Sequence, residues 1–241
     1  MKKTSLILLI ALVFLSCNET VKLTFETQHI EKSSDAIFNI NYPKAIGTKA
    51  VSENINQHIE HLIANLMNMS ETPDNNISVS EAISEFDNEF KAFKNDFQDS
   101  SQRWEVKIDG QVEYESPEIL CISLQSYVDT GGAHGNGGIT FLNFDPETGK
   151  LLKHNDLISD FTQFTKEAEK AFNEQTKPKD DDELMEDFFF GEGFQLPANI
   201  GFTKNGLVLL YNNYEIASYA QGITKIIMPY SEIKNLLKIE P

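Results

Sequence analysis

The chain is 241 residues long and strongly acidic, with 37 Asp and Glu residues against 20 Lys and Arg residues and a formal net charge of −17. Proteins bind nucleic-acid backbones mainly through Lys and Arg, and the sequence has no basic cluster, so the charge argues against a nucleic-acid partner. The only cysteines are Cys17 and Cys121, which excludes a disulfide framework and leaves stability to an ordinary apolar core.

The N-terminus is typical of an export signal. Lys2 and Lys3 precede an apolar stretch, residues 6–14, that is too short to span a membrane stably as a helix. Residues 15–17, Leu-Ser-Cys, resemble a bacterial lipobox, in which the cysteine is acylated, with palmitate as an expected chain, and becomes the mature N-terminus. We therefore predict an envelope lipoprotein with a signal peptide over 1–16, a lipid anchor at Cys17 and a tether over 17–21. The default location is the periplasmic face of the outer membrane, with cell-surface exposure as the alternative.

The first part of the mature chain changes from a strand pattern to a helix pattern. Residues 22–42 alternate between apolar and polar side chains, which predicts strand structure. Apolar residues then recur at helical spacing from Thr48 to about Met69. A second helix begins with Ser78 and Glu81, which fit a capping box. Large apolar residues follow on one stripe of that helix, at Ile83, Phe86, Phe90, Phe93 and Phe97.

Strand patterning returns in the middle of the chain. Residues 104–114 and 122–128 alternate in a way that predicts antiparallel strands with a solvated face. Residues 139–153 predict a hairpin in which Gly149 takes a positive φ. The next helix starts after a cap at Asn155 or Asp160 and is broken by the charged run 179–183.

The C-terminal part contains further strands and a final short helix. Strands are predicted at 198–203, 207–211 and 223–228, and a helix at 231–237. Strands and helices do not alternate one for one, so the chain is predicted to be α+β, with a mostly antiparallel sheet covered by helices and two closely packed halves.

The glycine-rich segment 131–138, Gly-Gly-Ala-His-Gly-Asn-Gly-Gly, is the most unusual part of the sequence. Glycine allows backbone conformations and close approaches that other residues resist, so this loop could present amide groups or His134 to a ligand. Two alternatives remain open from the residues alone. The loop could simply connect two strands, or His134 could be catalytic.

Motifs for other chemistry are absent from the sequence. His58 and His61 are three residues apart, whereas zinc-binding helices of the zincin type place histidines four apart. No phosphate-binding loop and no nucleophile elbow occur, and Cys121 lies in an apolar run typical of a buried thiol. We therefore predict no catalytic residue, no metal site and no cofactor.

Several sequence blocks together resemble a known family. They are residues 39–43, residues 127–150 with the sequence GGAHG, and residues 206–229 with the segment 214–222. They resemble the paired domains of unknown function in the extracytoplasmic part of the anti-sigma factor RsiV and in the non-catalytic N-terminal region of the deacetylase PdaC. The resemblance implies a PdaC-like half over 22–115 and an RsiV-like half over 116–241, which contains the GGAHG loop.

These observations predict a non-catalytic recognition module that binds a cell-envelope glycan, such as peptidoglycan, or a protein that acts on the envelope. One alternative is a sensor or inhibitor of a cationic lysozyme-like protein, a role that the resemblance to the lysozyme-sensing RsiV also implies. Another is a cell-wall hydrolase or deacetylase centred on His134, and a third is a scaffold for other envelope proteins. The predicted ligand-binding residues are Tyr127, Gly131, Gly132, His134, Asn136, Tyr211, Tyr214 and Tyr219.

Overall fold

The computed structural model describes residues 23–70, 72–178 and 188–241. The predicted signal peptide, Cys17, the tether and the charged run 179–183 lie outside these residues. None of the helices in the described ranges is long and apolar enough to cross a membrane.

The strands of the described residues form two sheets. The larger sheet has the strand order β1 (Thr24–Ser33), β2 (Ile37–Ile46), β3 (Glu105–Glu115), β4 (Leu120–Asp129) and β5 (Asn136–Phe144). The smaller sheet contains β6 (Asn199–Thr203), β7 (Gly206–Tyr211) and β8 (Thr224–Met228). Neighbouring strands are antiparallel except β2 and β3, which are parallel. The α+β prediction with mostly antiparallel sheets is confirmed.

The helices of the described residues are α1 (Lys49–Leu66), α2 (Val79–Asp96), α3 (His154–Leu157), α4 (Phe161–Gln175) and α5 (Tyr230–Ile233). The predicted capping box of α2 is confirmed, because the Glu81 N–H donates to the Ser78 hydroxyl and the Ser78 N–H donates to the Glu81 carboxylate. Asp160, not Asn155, caps α4 by accepting from the Gln163 N–H at 2.9 Å. Gly149 has the predicted positive φ, +70°.

Two apolar cores lie on opposite faces of the larger sheet. The first fills the space between that sheet and helices α1 and α2, and includes Phe38, Ile59 and Phe86. The second lies between β4, the smaller sheet and α4. Strand β4 contributes Leu120, Ile122 and Leu124 to the first core and Cys121 to the second. Strand β4 is therefore covered on both faces and joins the two halves. Burial of each large apolar side chain stabilises the fold by about 1.5–3 kcal/mol.

Side-chain amides form hydrogen bonds with the backbone at the outer edges of β5 and β8. Asn199 accepts from the Phe141 N–H of β5 at 2.8 Å, and Asn212 accepts from the Ile139 N–H at 2.8 Å. Both amides also donate to the Ile139 carbonyl, at 2.5 and 3.1 Å. Gln175 makes the same pair of bonds with Ile227 of β8, at 3.0 and 2.8 Å. These amides satisfy backbone groups that a further strand would otherwise pair. We call the contacts of Asn199 and Asn212 with β5 the amide seam.

Removal of an amide from this seam is expected to destabilise the fold. Asn199→Ala leaves the Phe141 N–H without its partner, and the free energy of unfolding is expected to fall by about 1–3 kcal/mol, the cost of an unpaired buried polar group. Urea denaturation measures this change. The control is Asn173→Ala on the exposed face of α4, for which a change within about 0.5 kcal/mol is expected. An equal effect of the two substitutions would contradict the role of the seam.

Asp87 of α2 holds the turn between β1 and β2. Its carboxylate is buried and accepts from the Ala36 N–H at 3.0 Å, the Ser34 hydroxyl at 2.8 Å and the Lys91 ammonium at 3.1 Å. Burial raises the pKa of Asp87, but these hydrogen bonds and the charge of Lys91 outweigh it and lower the pKa from 3.8 to about 2. The ionised carboxylate therefore stabilises the fold.

Because the pKa of Asp87 is lowered in the folded protein, its contribution to the free energy of unfolding is expected to depend on pH. Because the folded pKa lies below the unfolded value, the stabilisation is fully present above the unfolded pKa and is lost as the pH falls through the folded pKa. Asp87→Asn is therefore expected to be less stable than the unsubstituted chain at neutral pH, and the difference should shrink between about pH 5 and about pH 2. Urea unfolding at several pH values tests this. A difference that stays constant over that range would show that Asp87 does not act through its charge. Asp99→Asn, at an exposed position, is the control for the substitution.

Candidate ligand-binding site

The glycine-rich loop between β4 and β5 is fixed at both ends. Asp129 accepts from the Gly131 N–H at 2.8 Å and from the Tyr127 hydroxyl at 3.3 Å. Gly131 has a φ of +83°, which glycine adopts without strain, and its carbonyl accepts from the Gln102 side chain. Gly135 is buried against the Tyr127 ring, so a Cβ there would lie 2.6 Å from the Tyr127 hydroxyl oxygen. The loop between these two points exposes His134.

The connection between β7 and β8 brings two tyrosines to the same place. It begins with a turn in which the Asn212 N–H donates to the Glu215 carboxylate at 2.8 Å and the Glu215 N–H donates to the Asn212 carbonyl at 3.1 Å. Within this turn Tyr214 has a φ of +66°, a conformation that costs energy for a residue with a Cβ. Tyr219 follows in a short 3-10 turn. The strained turn directs the Tyr214 side chain into solvent, where it is 58% exposed.

His134, Tyr214 and Tyr219 form an aromatic cluster. The rings of His134 and Tyr219 are stacked, with centroids 4.0 Å apart and planes 18° apart. Tyr214 lies 5.4 Å from Tyr219 and 6.4 Å from His134 by the same measure. His134 Nδ1 donates to the Gly135 carbonyl at 2.9 Å, which leaves Nε2 of a neutral ring to accept from the Tyr214 hydroxyl, 3.4 Å away. The cluster offers a ligand flat aromatic faces with hydroxyl groups at their edges.

The amide seam fixes the two loops relative to each other. Asn212, the residue directly after β7, is bonded to Ile139 of β5 through both polar atoms of its side chain. Gly138 allows this approach, because a Cβ there would lie 3.1 Å from Asn212 Oδ1. Tyr214 is two residues beyond Asn212, and His134 is in the loop that leads into β5. A hydrogen bond between the two sheets therefore lies within a few residues of both loops that form the aromatic cluster.

The structure brings together some of the predicted binding residues and separates others. His134, Tyr214 and Tyr219 form the cluster, while Gly131, Gly132, Asn136 and Tyr127 belong to the loop that presents His134 or to the strands that flank it. Tyr211 does not reach this surface. Its side chain is 1% exposed, lies among Phe172 and Phe189, and its hydroxyl donates to the Gln195 carbonyl at 2.7 Å. The residues that position the cluster, Asn212, Asp129 and Gln102, carry no motif by which the sequence could have indicated them.

Among the residues that the structure describes, no group of three or more His, Cys, Asp or Glu side chains is placed to hold a metal ion. Burial and the nearby His61 lower the pKa of His58, whose ring packs 5.9 Å from that of Phe144. Cys121 is a buried free thiol, and burial raises its pKa to about 12. Its sulfur accepts from the Phe202 N–H at 3.3 Å, a contact that joins the two sheets.

The two sheets and two apolar cores place the chain in the class of α+β proteins with two packed halves. Residues 30–137 match the family model described as Deacetylase PdaC, and residues 151–231 match the model described as a protein of unknown function, DUF3298. The chain therefore contains a segment similar to PdaC followed by a segment similar to DUF3298. His134 lies in the first matched segment, whereas Tyr214 and Tyr219 lie in the second, so both segments contribute to the aromatic cluster.

Solved structures show the same fold. A DUF3298-family protein from Bacteroides fragilis is 20% identical, with a TM-score of 0.68 over 92% of this chain and 96% of its own. A second, from Pseudomonas aeruginosa, is 21% identical, with a TM-score of 0.61 over 90% and 94% of the two chains. A comparison with curated proteins found no match. These likenesses show the shared fold.

A pair of glycine substitutions tests how the loop holds His134. Gly135→Ala places a methyl group against Tyr127 and is expected to lower the free energy of unfolding by about 1–3 kcal/mol and to separate His134 from Tyr219. Gly132→Ala is the control, because the atom nearest to its Cβ is 3.8 Å away. Urea denaturation and NMR contacts between the His134 and Tyr219 rings measure both effects. Equal stability and equal ring contacts in the two variants would contradict this account of the loop.

Proposed function

We propose that this protein is a lipid-anchored extracytoplasmic recognition module that binds a cell-envelope glycan, or a protein that acts on the envelope, through the aromatic cluster. The observation that carries the proposal is the stacking of His134 on Tyr219 beside the exposed ring of Tyr214. Exposed aromatic rings on rigid supports are effective contact groups, because they bury a large area and lose little conformational freedom on binding.

The position of the cluster supports recognition. Its rings belong to two loops held together by the amide seam, so the binding surface is formed before a ligand arrives. A preformed surface loses less entropy on binding than one that a ligand must order. The aromatic faces suit the C–H face of a sugar ring, and the Tyr214 hydroxyl oxygen, which donates its proton to His134 Nε2, can accept from a sugar hydroxyl.

The lipid anchor is proposed from residues 1–17 alone. A basic start, a short apolar stretch and a cysteine after Leu-Ser together match the pattern of an acylated envelope protein. Several acyl chains hold a protein stably at a membrane, whereas one chain holds it only marginally. Attachment at Cys17 would place the aromatic cluster close to the envelope.

The net charge supports a second candidate, in which the ligand is a cationic lysozyme-like protein. A formal charge of −17 attracts a basic protein over long distances and speeds its association. In this case Tyr214 and Tyr219 would act as anchors at the centre of the interface, and the surrounding carboxylates would steer the partner. The salt dependence of binding distinguishes specific docking from nonspecific attraction, because salt screens the long-range electrostatic attraction between the two proteins and leaves their short-range contacts.

Calorimetric titration with muropeptide fragments and, separately, with lysozyme tests the proposed function. Saturable binding at physiological salt is expected with one of the two ligands. Tyr214→Ala is expected to weaken that binding by at least about tenfold, equivalent to about 1.4 kcal/mol. The control is Phe97→Ala, because Phe97 is also 58% exposed but lies at the end of α2, outside the aromatic cluster.

The outcomes separate the candidates. Muropeptide binding that Tyr214→Ala weakens supports a glycan ligand, and lysozyme binding that persists at physiological salt supports the protein ligand. Heat with lysozyme at low salt alone would mean nonspecific charge attraction. No saturable binding of either ligand, or equal losses from Tyr214→Ala and Phe97→Ala, would refute the role of the aromatic cluster.

A further inference from the structure

The outer edge of β1 has backbone groups that point away from the larger sheet, on the side opposite β5. The Ile37 N–H donates to the carbonyl of Trp104, directly before β3, so the backbone groups of Ile37 point toward β3. Because this direction alternates along a strand, Phe38 points toward β1, where its partner is Lys32. The even-numbered residues of β1 therefore bond to β2. The outward backbone groups belong to the odd-numbered residues, which are Phe25, Thr27, His29, Glu31 and Ser33.

The other edge strands of the described residues have side-chain partners for outward backbone groups. The amide seam bonds to β5, Gln175 bonds to β8, and Asn143 and Cys121 bond to β6. Asn56 of α1 even bonds to both backbone groups of Ala45, in the part of β2 that β3 does not reach. Among the residues that the structure describes, none bonds to the outward groups of β1, although this strand is 10 residues long. An unpaired edge of this length is a template for another strand.

A second copy of the same strand has backbone groups that match this edge. Two identical strands related by a two-fold axis run antiparallel, and each contributes the same residues to the contact. With the axis at His29, Phe25 lies opposite Ser33 of the second copy. In the same register Thr27 lies opposite Glu31 of the second copy. All of these residues point outward, so N–H groups meet carbonyls along the whole strand.

The charges of β1 favour this register. Between the outward residues, Glu26 lies directly opposite Lys32 of the second copy, and the symmetry forms this pair twice. Glu26 is exposed, and the Lys32 side chain is 42% exposed. Opposite charges at directly opposed positions stabilise paired strands. With the axis at Gln28 instead, Glu26 faces Ile30, and with the axis at Ile30 it lies beyond the paired residues.

We propose that β1 pairs with β1 of a second copy, which joins the two five-stranded sheets into one across a two-fold axis at His29. The formal net charge of −17 on each chain opposes association. At physiological salt the Debye length is about 8 Å, so repulsion between distant parts of the two chains is largely screened. The loop with His134 lies between β4 and β5, on the other side of the sheet, so the dimer leaves both aromatic clusters accessible. The proposal stands on the strand edge and does not depend on the proposed function.

Analytical ultracentrifugation of the purified chain at physiological salt tests the dimer. A monomer–dimer equilibrium is expected. Glu26→Lys places two cations opposite each other and is expected to raise the dimer Kd at least about tenfold. The matched control is Glu169→Lys, which makes the same charge change at an exposed position on α4. The addition of Lys32→Glu to Glu26→Lys makes the opposed charges complementary again and is expected to restore the Kd.

A pair of cysteine substitutions tests the register separately. It is needed because Lys32 Nζ lies 3.9 Å from the Asp87 carboxylate, so the double charge variant could fail to fold. The Cα atoms of the two His29 residues would lie about 5.5 Å apart, within the range of a disulfide, whereas those of the two Glu31 residues would lie about 14 Å apart. Mild oxidation with copper phenanthroline should therefore cross-link His29→Cys and not Glu31→Cys. The unsubstituted chain measures any cross-linking through Cys17.

These measurements also define the results that would overturn the proposal. A chain that stays monomeric at about 1 mM would refute it. A dimer that Glu26→Lys and Glu169→Lys weaken equally, or that cross-links equally in both cysteine variants, would place the contact elsewhere. The N–H groups of Thr27 and His29 should exchange with solvent quickly in dilute solution and slowly above the Kd. Rapid exchange at both concentrations would show that the dimer does not use β1.

Discussion

The amide seam is the interaction on which the relation between the two sheets depends. Strand β5 ends the larger sheet, and its outward N–H and C=O groups need partners once the smaller sheet packs against it. Asn199 and Asn212 supply those partners from the smaller sheet, and Asn143 bonds in the opposite direction to Ile200. Apolar packing around Cys121 and Phe202 brings the sheets together without fixing their register. The amides fix it, because each bond has one donor and one acceptor position.

This constraint extends to the candidate ligand-binding site. The aromatic cluster combines a histidine from one sheet with two tyrosines from the other, so its geometry is only as well defined as the contact between the sheets. Asn212 makes that contact two residues before Tyr214. Asn143 of β5 donates across the same junction to the Ile200 carbonyl of β6. The junction between the two sheets thus contains the hydrogen bonds that fix the aromatic cluster.

Much of the fold could be predicted from local sequence patterns. Helical spacing predicted α1 and α2, the Ser78 and Glu81 pair predicted the start of α2, and Gly149 predicted a turn with positive φ. These features depend on neighbours within a few residues. The parallel pairing of β2 with β3 could not be predicted in this way, because the two helices that connect the strands do not specify which edge the chain returns to.

The candidate site was only partly predictable for the same reason. The five glycines around His134 identified the loop, but Tyr211 and Tyr214 could not be told apart by residue type. Every residue of β7 is buried because both faces of that strand are covered, which places Tyr211 in the core. Tyr214 is exposed because a left-handed turn follows. Asn199, Asn212 and Gln175 act over 52 to 73 residues of sequence, and a single amide side chain gives no sign of such a partner.

Native-state hydrogen exchange of the Ile139 and Phe141 amides tests the amide seam most directly. Both amides face away from β4, at an edge that would be open to solvent without Asn212 and Asn199. If the seam holds the sheets together, both should exchange as slowly as the amides of the interior strand β4, since exchange would require separation of the two sheets. Exchange as fast as that of the outward-facing amides of β1 would contradict the account and leave the aromatic cluster without a fixed support.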